Sequence, residues 1–275
     1  MTRIAVFQSN TGIDPARNAA ALVDAIRAAA EGGATMLFTP EMSGLLDRDS
    51  ARAAGNLRVE DEDGVLAACA EAAEAHGIWV HLGSVAVLVD DGKVANRGFV
   101  IDRNGGIRAR YDKIHLFDVD LPTGESWRES AVYQAGKGAM LVNGTPVGKL
   151  GLTICYDLRF PALFARIAEA DADVIAVPAA FTVPTGRAHW HVLLRARAIE
   201  AGLFVVAAAQ CGQHEDGRQT FGHSLVVDPW GDVLLDMGND VGVGFADIDL
   251  ARISEVRSRI PALTHRRPIP EAESA

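Results

Sequence analysis

Cysteine is scarce in this chain, whose 275 residues include only Cys69, Cys155 and Cys211. The three lie far apart, their number is odd, and none belongs to a CxxC pair. This spacing excludes a disulfide framework and is typical of proteins from a reducing compartment. We therefore expect a cytoplasmic location.

Excess positive charge and long apolar runs are also lacking. The formal net charge is −10, which argues against nucleic acid or an anionic membrane surface as a partner. No apolar run reaches the roughly 18 residues of a membrane-spanning helix, and residues 1–8 do not resemble a signal peptide. We expect no membrane partner.

Cofactor motifs are missing as well. The chain contains no GxGxxG, no Walker lysine loop and no HExxH, which are the usual signs of nucleotide and metal sites. His189 and His191 stand two residues apart on a predicted helix, so they face different sides and do not favour a shared metal site. We expect no metal and no cofactor.

The sequence does contain an alternation of predicted strands and helices, with hairpins inserted. Asp90-Asp91-Gly92 is a hairpin turn signal, and residues 111–146 are predicted to be mostly loop. No linker divides the chain, so we expect one mixed α/β domain over residues 1–275. The predicted helices are 15–31, 64–76, 161–170, 188–201 and a last one capped by Asp249.

The central stretch is GKLGLTICYDLRFP, residues 148–161. Leu150 to Ile154 is predicted to be a buried strand, and Cys155 follows it directly, just before a helix. Ligands bind beyond the carboxyl ends of strands in open α/β sheets, and a helix N-terminus favours a thiolate. Cys155 is therefore a candidate nucleophile, with a buried structural cysteine as the alternative.

Other candidates for acid–base chemistry lie elsewhere in the chain. Glu41 comes after strand 36–39 and a proline, where partial desolvation raises the pKa of a carboxylate toward the range of a general base. The alternative is a solvent-facing loop residue. Lys113, in YDKIHLF, is either an oxyanion stabiliser or the partner of Asp112 or Asp118. His189, His191 and His223 are rival bases for a Cys–His dyad.

Three segments together resemble the nitrilase superfamily of carbon–nitrogen hydrolases: TPEM around Glu41, YDKIHLFD around Lys113 and GLTICYDLRFP around Cys155. The resemblance continues through AHWHVLLRARAIE, AAAQCG, GHSLVVDPWG and HRRP, and so covers essentially the whole chain. It implies a four-layer αββα sandwich and a Glu–Lys–Cys triad. It also implies a homodimer or higher homo-oligomer, with the tail from about residue 261 packing at the dimer interface.

The branch of the family is indicated by Tyr156-Asp157, since the nitrile-hydrolysing branch usually has Trp-Glu after its cysteine. The segments LLRARAIE, AAAQCG and GHSLVVDPWG are most similar to the deaminated glutathione amidase group, whereas YDKIHLFDVDLP is equally similar to ω-amidases. The resemblance thus implies hydrolysis of an amide C–N bond in a small carboxylated amide, through a Cys thioester, with release of ammonia. The alternatives are an ω-amidase acting on α-ketoglutaramate, an N-carbamoyl amino acid amidohydrolase, a Cys–His acyl hydrolase, and a catalytically silent scaffold or binding partner.

The resemblance also implies roles around the triad. Glu129 is expected to orient Lys113 and the substrate amide, and the backbone N–H of Tyr156 to hold the oxyanion. A substrate carboxylate needs cationic or hydroxyl partners. The candidates are Arg159, which alternatively pairs with Asp157, and Thr182 and Thr185 on the predicted loop after Phe181, itself a candidate for substrate binding.

Overall fold

The computed structural model describes residues 1–89, 92–120, 124 and 126–271. In it, alternate residues of the first strand face two different cores. In β1 (Thr2–Gln8), Ile4 and Val6 belong to a core shared with a second sheet, whereas Ala5 and Phe7 belong to a core beneath helices. Successive side chains of a strand point to opposite faces, so the first sheet has helices on one side and another sheet on the other.

The first sheet mixes parallel and antiparallel strands. Helices α1 (Pro15–Glu31) and α3 (Gly64–His76) cover its outer face, packing Ile26 and Cys69 into the outer core. The strands, in spatial order, are β17 (Gly242–Ile248), β1, β2 (Met36–Phe38), β4 (Trp79–Leu88), β5 (Val94–Ile101) and β6 (Ile107–Asp112), with β3 (Arg58–Val59) beside β4.

The second sheet is covered by α4 (Pro161–Glu169) and α5 (Val183–Ala201), whose Phe164 and Trp190 are fully buried. Together the two sheets and their helices form the expected αββα sandwich. The last helix is α6 (Ala251–Arg259). The strands, in spatial order, are β16 (Val233–Asp236), β15 (Leu225–Val227), β12 (Phe204–Ala207), β11 (Val174–Ala176), β10 (Gly148–Leu152) and β9 (Met140–Thr145).

The parallel strands of both sheets end at the same rim. In the first sheet β2 is parallel to β1 and β4, and in the second β10 is parallel to β11. The loops after β2 and β11 meet over Gly83 of β4. A Cβ there would lie 2.1 Å from the Thr39 carbonyl oxygen and 2.6 Å from Pro178 Cβ, so only glycine permits this approach. The rim is where the candidate site forms.

Several local predictions need correction. Residues 111–146 contain more strand than predicted, since they include β9 and the small hairpin of β7 (Asp118–Asp120) and β8 (Ser126–Arg128). Helix α5 begins at Val183, earlier than predicted, so Thr185 lies in its first turn rather than on a loop. The short elements α2 (Ser50–Ala54), β13 (Cys211–Gln213) and β14 (Gln219–Phe221) were not predicted.

Two further predictions concern turns and the tail. Leu88 pairs with Val94 across the predicted β4–β5 hairpin, while Asp90 and Asp91 lie outside the described residues. In the tail, Arg266 donates to the Ala165 carbonyl of α4. No described helix has the length and apolar character needed to cross a membrane.

Candidate active site

Glu41 lies beyond the end of β2 and is almost completely buried. Pro40 ends the strand because it cannot donate to the ladder. The loop is fixed by a bond from Met42 N to Ser84 Oγ (2.8 Å) and by Gln210 Nε2, which donates to the Glu41 carbonyl (2.9 Å). Glu41 is therefore held at the rim with its carboxylate directed inward, and the solvent-facing alternative does not apply.

Cys155 lies beyond β10, at the start of a 3₁₀ turn that spans Cys155–Arg159. Its φ is +49°, in the left-handed region that non-glycine residues seldom occupy. The bond from Cys155 N to the Pro178 carbonyl (2.8 Å) holds this conformation. Strained backbone of this kind is concentrated at functional sites, and the thiol lies at the rim beside Glu41.

Lys113 follows β6 and makes ion pairs with two carboxylates rather than with Asp112 or Asp118. Its Nζ lies 2.8 Å from Glu41 Oε1, and 3.0 and 2.9 Å from the two oxygens of Glu129. Glu129 Oε2 also accepts from Phe117 N. The ammonium is therefore fixed between Glu41 and Glu129, as expected for a lysine oriented by a second carboxylate.

Asn96 of β5 was not predicted as a member of this cluster. Its side-chain Nδ2 donates to Glu41 Oε1 (2.9 Å) and to Glu129 Oε1 (3.2 Å), so one amide bridges both carboxylates. Asn96 is buried, and its backbone carbonyl accepts from Lys113 N. An asparagine in the middle of a largely apolar strand is the sequence signal that could have identified it.

The protonation states of the cluster follow from these contacts. Burial alone would raise the pKa of Glu41, but Lys113, Cys155 and Asn96 together hold it below its usual value. Burial opposes the charged form of Lys113, yet Glu129 and Glu41 raise its pKa well above its usual value. The resting site therefore contains an ionised Glu41 and a protonated Lys113, so the raised carboxylate pKa predicted from the sequence is wrong.

Cys155 is likewise not the thiolate that its position before a helix suggested. Burial raises the pKa of the thiol well above its usual value, and the nearby negative charge of Glu41 raises it further. Lys113 offsets only part of this effect. The resting pair is a neutral thiol beside a carboxylate, and this pair can exchange a proton when the thiol attacks.

Asp157 joins the segment around Lys113 to the cysteine turn, a role that the sequence did not indicate. It is fully buried, accepting from Tyr111 Oη (2.7 Å), His115 N (3.0 Å) and Ile154 N (2.9 Å). The carboxylate thereby fixes the distance between the two rim segments. Because these partners saturate Asp157, it forms no ion pair with Arg159.

A cavity of about 250 Å³ opens over this cluster. Its walls include every residue predicted for substrate binding, namely Tyr156, Arg159, Phe181, Thr182 and Thr185. Thr182 and Thr185 share a hydroxyl–hydroxyl bond of 2.8 Å, and the Arg159 guanidinium lies over the Phe181 ring at 5.6 Å. The cavity thus combines a buried cysteine with cationic and hydroxyl groups suited to an anionic ligand.

Comparison with known proteins agrees with this geometry. The family model "Carbon-nitrogen hydrolase" matches residues 3–258. The chain belongs to the carbon-nitrogen hydrolase family. Its members include amidases, and the chain is accordingly a hydrolase of non-peptide, amide C–N bonds.

Named relatives support the same placement. A deaminated glutathione amidase of Dictyostelium discoideum is 43% identical over 76% of this chain and 73% of its own length. The human deaminated glutathione amidase is 38% identical over 96% of this chain and 82% of its own length. The crystal structure of the C. elegans NitFhit protein superposes with a TM-score of 0.89 at 38% identity. That match covers 97% of this chain, which spans only 65% of the NitFhit chain.

The histidines lie outside this carbon-nitrogen hydrolase site. None of His189, His191 and His223 is among the described residues that line the cavity with Cys155. His189 contacts Arg159, whereas His191 Nε2 and His223 Nδ1 each lie 2.9 Å from a different oxygen of Asp236. This His191–His223–Asp236 group has its ligand atoms within 4.8 Å of one another and could hold a metal ion, but none of its residues lines the cavity that contains Cys155.

Proposed function

We propose that this chain hydrolyses a small carboxylated amide, with deaminated glutathione as the substrate that fits best, through a Glu41–Lys113–Cys155 triad. One observation carries the proposal: the three side chains are buried together beneath a single cavity whose walls supply cations and hydroxyl groups. The names of the relatives point to the same substrate.

The first half of the reaction transfers the acyl group to the enzyme. Cys155 Sγ attacks the amide carbonyl carbon while its proton passes to the Glu41 carboxylate. The oxyanion is stabilised by the Lys113 ammonium and the backbone N–H of Tyr156. The C–N bond then breaks, the nitrogen takes the proton from Glu41, and a thioester remains on Cys155.

The second half releases the acid. Glu41 takes a proton from a water molecule, the resulting hydroxide attacks the thioester carbon, and the C–S bond breaks. The sulfur leaves as a thiolate that regains the proton from Glu41, which restores the resting pair. Glu129 acts throughout as a positioning residue, because it fixes the ammonium of Lys113 and its own charge favours the protonated lysine.

The substrate is proposed to be held by Arg159, Thr182 and Thr185, with the side chains of Phe181 and Tyr156 enclosing its apolar part. α-Ketoglutaramate, the ω-amidase substrate, and N-carbamoyl amino acids also carry a carboxylate and are the alternatives. The substrates differ in what leaves. Deaminated glutathione loses the amine of cysteinylglycine rather than the ammonia expected from the sequence, whereas α-ketoglutaramate and N-carbamoyl amino acids release ammonia.

The remaining proposals concern assembly and location. We propose that residues 1–275 form one domain and that two copies pair through α5, with the tail from residue 261 at the interface. The support is an apolar surface on and beside α5, where Ile199 is 52% exposed, Trp230 44% and Ile260 57%. A cytoplasmic location is supported by the three free cysteines.

The experiment is a product assay with separate detection of cysteinylglycine, ammonia and the keto acid. Wild-type protein should release cysteinylglycine from deaminated glutathione faster than it releases ammonia from α-ketoglutaramate, N-carbamoyl amino acids or a simple nitrile. Cys155→Ala should abolish turnover with the fold intact, while Cys69→Ala should stay near wild type. Turnover that survives Cys155→Ala, or a preference for neutral amides, would exclude the proposal.

A further inference from the structure

A second cationic group lies on the cavity wall, away from Arg159. It consists of Arg48, Trp127 and Arg218, which we call the Trp127 cluster, and all three residues line the cavity that contains Cys155. The Arg48 and Arg218 guanidinium carbons lie 6.0 and 5.1 Å from the Trp127 ring centroid. Two cations on one indole ring form a cationic surface backed by an aromatic face.

The two arginines of the cluster differ in what they already contact. Arg218 Nε is bound to Asp216 Oδ2 at 2.6 Å, and the same oxygen accepts from the backbone N of Arg48 at 2.9 Å. Asp216 is fully enclosed, so it anchors both positions. The neighbouring Asp47 carboxylate is taken by Arg52 at 2.6 Å. Within the described residues the exposed Arg48 guanidinium has no carboxylate partner and is left available for a ligand.

Arg159 belongs to a different part of the wall. It is carried by the cysteine turn, lies over Phe181 and is within 3.2 Å of His189 Nδ1 of α5. The Trp127 cluster is carried instead by the loop after β2, by β8 and by the β13–β14 turn. The cavity therefore offers two cationic positions, each on its own aromatic ring, to a ligand that spans it.

The reaction order decides which half of a substrate meets which position. The amine half leaves first, while the acyl half stays bound as a thioester, so the amine half must lie toward the open mouth. Arg48 is exposed whereas Arg159 is half-buried. We propose that the Trp127 cluster is a subsite for a second carboxylate, on the amine half of the substrate, and that Arg48 is its specificity-determining residue. The inference rests on the proposed amidase function and narrows it to substrates with a carboxylate on each half.

The test compares two substrates that differ in this second carboxylate. Deaminated glutathione carries one on each half, whereas α-ketoglutaramate carries one on the acyl half only. Arg48→Ala should raise KM for deaminated glutathione roughly three- to tenfold, the range expected for a charge-assisted contact at a partly exposed site, with little change in kcat. KM for α-ketoglutaramate should not change, and Arg159→Ala should raise it for both substrates.

Two controls keep the outcome interpretable. Arg27→Ala removes an arginine from the exposed face of α1 and should change neither KM. Cysteinylglycine, the amine product, should inhibit the wild type and inhibit Arg48→Ala more weakly, while Arg48→Lys should restore part of the affinity. Thermal unfolding of each variant verifies that the fold is kept.

Failure of the subsite and failure of the function give different results. A wild type that hydrolyses neither substrate contradicts the amidase proposal itself. If the wild type hydrolyses deaminated glutathione but Arg48→Ala changes KM equally for the two substrates, the amidase proposal stands and the subsite proposal is overturned. Unchanged inhibition by cysteinylglycine in Arg48→Ala would overturn it as well.

Discussion

Replacing Glu41 by glutamine should affect two reactions of Cys155 in opposite directions. Hydrolysis of the amide should be lost, because a carboxamide cannot accept the thiol proton. Alkylation by iodoacetamide should become faster, because the variant removes a negative charge that holds the pKa of the thiol up. An ordinary structural defect would slow both reactions or expose every cysteine.

The size of the second effect follows from the charges around the sulfur. With Glu41 and Glu129 ionised and Lys113 protonated, the surroundings of the thiol carry one net negative charge, and Glu41→Gln makes them neutral. Removing a like charge at this range lowers a pKa by about 1–3 units. Because thiolate nucleophilicity falls with pKa along a Brønsted slope of about 0.4–0.5, the alkylation rate near neutral pH should rise roughly 3- to 30-fold.

The assay is the rate of labelling from about pH 6 to 10, with the modified cysteine identified by peptide mapping. An acid with a raised pKa ionises late, so wild-type labelling should still be climbing above pH 9, and the curve for Glu41→Gln should shift to lower pH. Cys69 and Cys211, whose pKa values burial raises to about 12 and about 11, provide internal references. Glu74→Gln, on exposed α3 surface, is the matched control.

Equal or slower labelling of Glu41→Gln would refute this reasoning. Such a result would mean that Glu41 acts as the base for the thiol even when the thiol reacts with an unrelated electrophile, or that Cys155 is already ionised at rest. Labelling that shifts to Cys69 would show instead that the variant has lost its fold.

Two further predictions concern the neighbouring carboxylate and the assembly. Glu129→Gln presents an amide donor to Lys113 Nζ and Phe117 N, and about 1.5–3 kcal/mol of charge-assisted bonding is lost. The value of kcat/KM should therefore fall about 10- to 150-fold with the circular dichroism spectrum unchanged, and full activity would remove Glu129 from the mechanism. Ile199→Lys should shift sedimentation from dimer toward monomer at micromolar concentration, while Val59→Lys, at a similarly exposed position elsewhere, should not; a monomeric wild type would contradict the dimer.

Local signals in the sequence were sufficient for the alternation of strands and helices, whereas the αββα sandwich itself was implied by the family resemblance. Period-two alternation identified the β4–β5 hairpin, and Asp14-Pro15 marked the start of α1, where Asp14 caps the helix through bonds to Ala16 N and Arg17 N. Short elements such as β13 and β14 were missed because three residues are too few to show a period. Their strands are fixed by partners distant in sequence, as in the bond from Cys211 N to the Ser9 carbonyl.

The candidate site could also be predicted, since Glu41 and Cys155 follow predicted strands and the family resemblance adds Lys113 and Glu129. The further supporting residues Asp157 and Asn96 could not. Asp157 binds Tyr111 and His115 more than forty positions away, and Asn96 reaches Glu41 across 55 positions. No local pattern distinguishes such residues from ordinary polar residues, because their role depends on which segments the two sheets bring together.

The charge states depart furthest from expectation, and for a physical reason. A position at a strand end or a helix N-terminus predicts the pKa of a single group from its contact with water and with backbone dipoles. Inside this cluster the pKa of Cys155 depends on burial and on Glu41, and the pKa of Glu41 depends in turn on Lys113. Each group's protonation is therefore a property of the set. Cys155 therefore rests as a neutral thiol, because burial and the charge of Glu41 together raise its pKa by more than Lys113 lowers it.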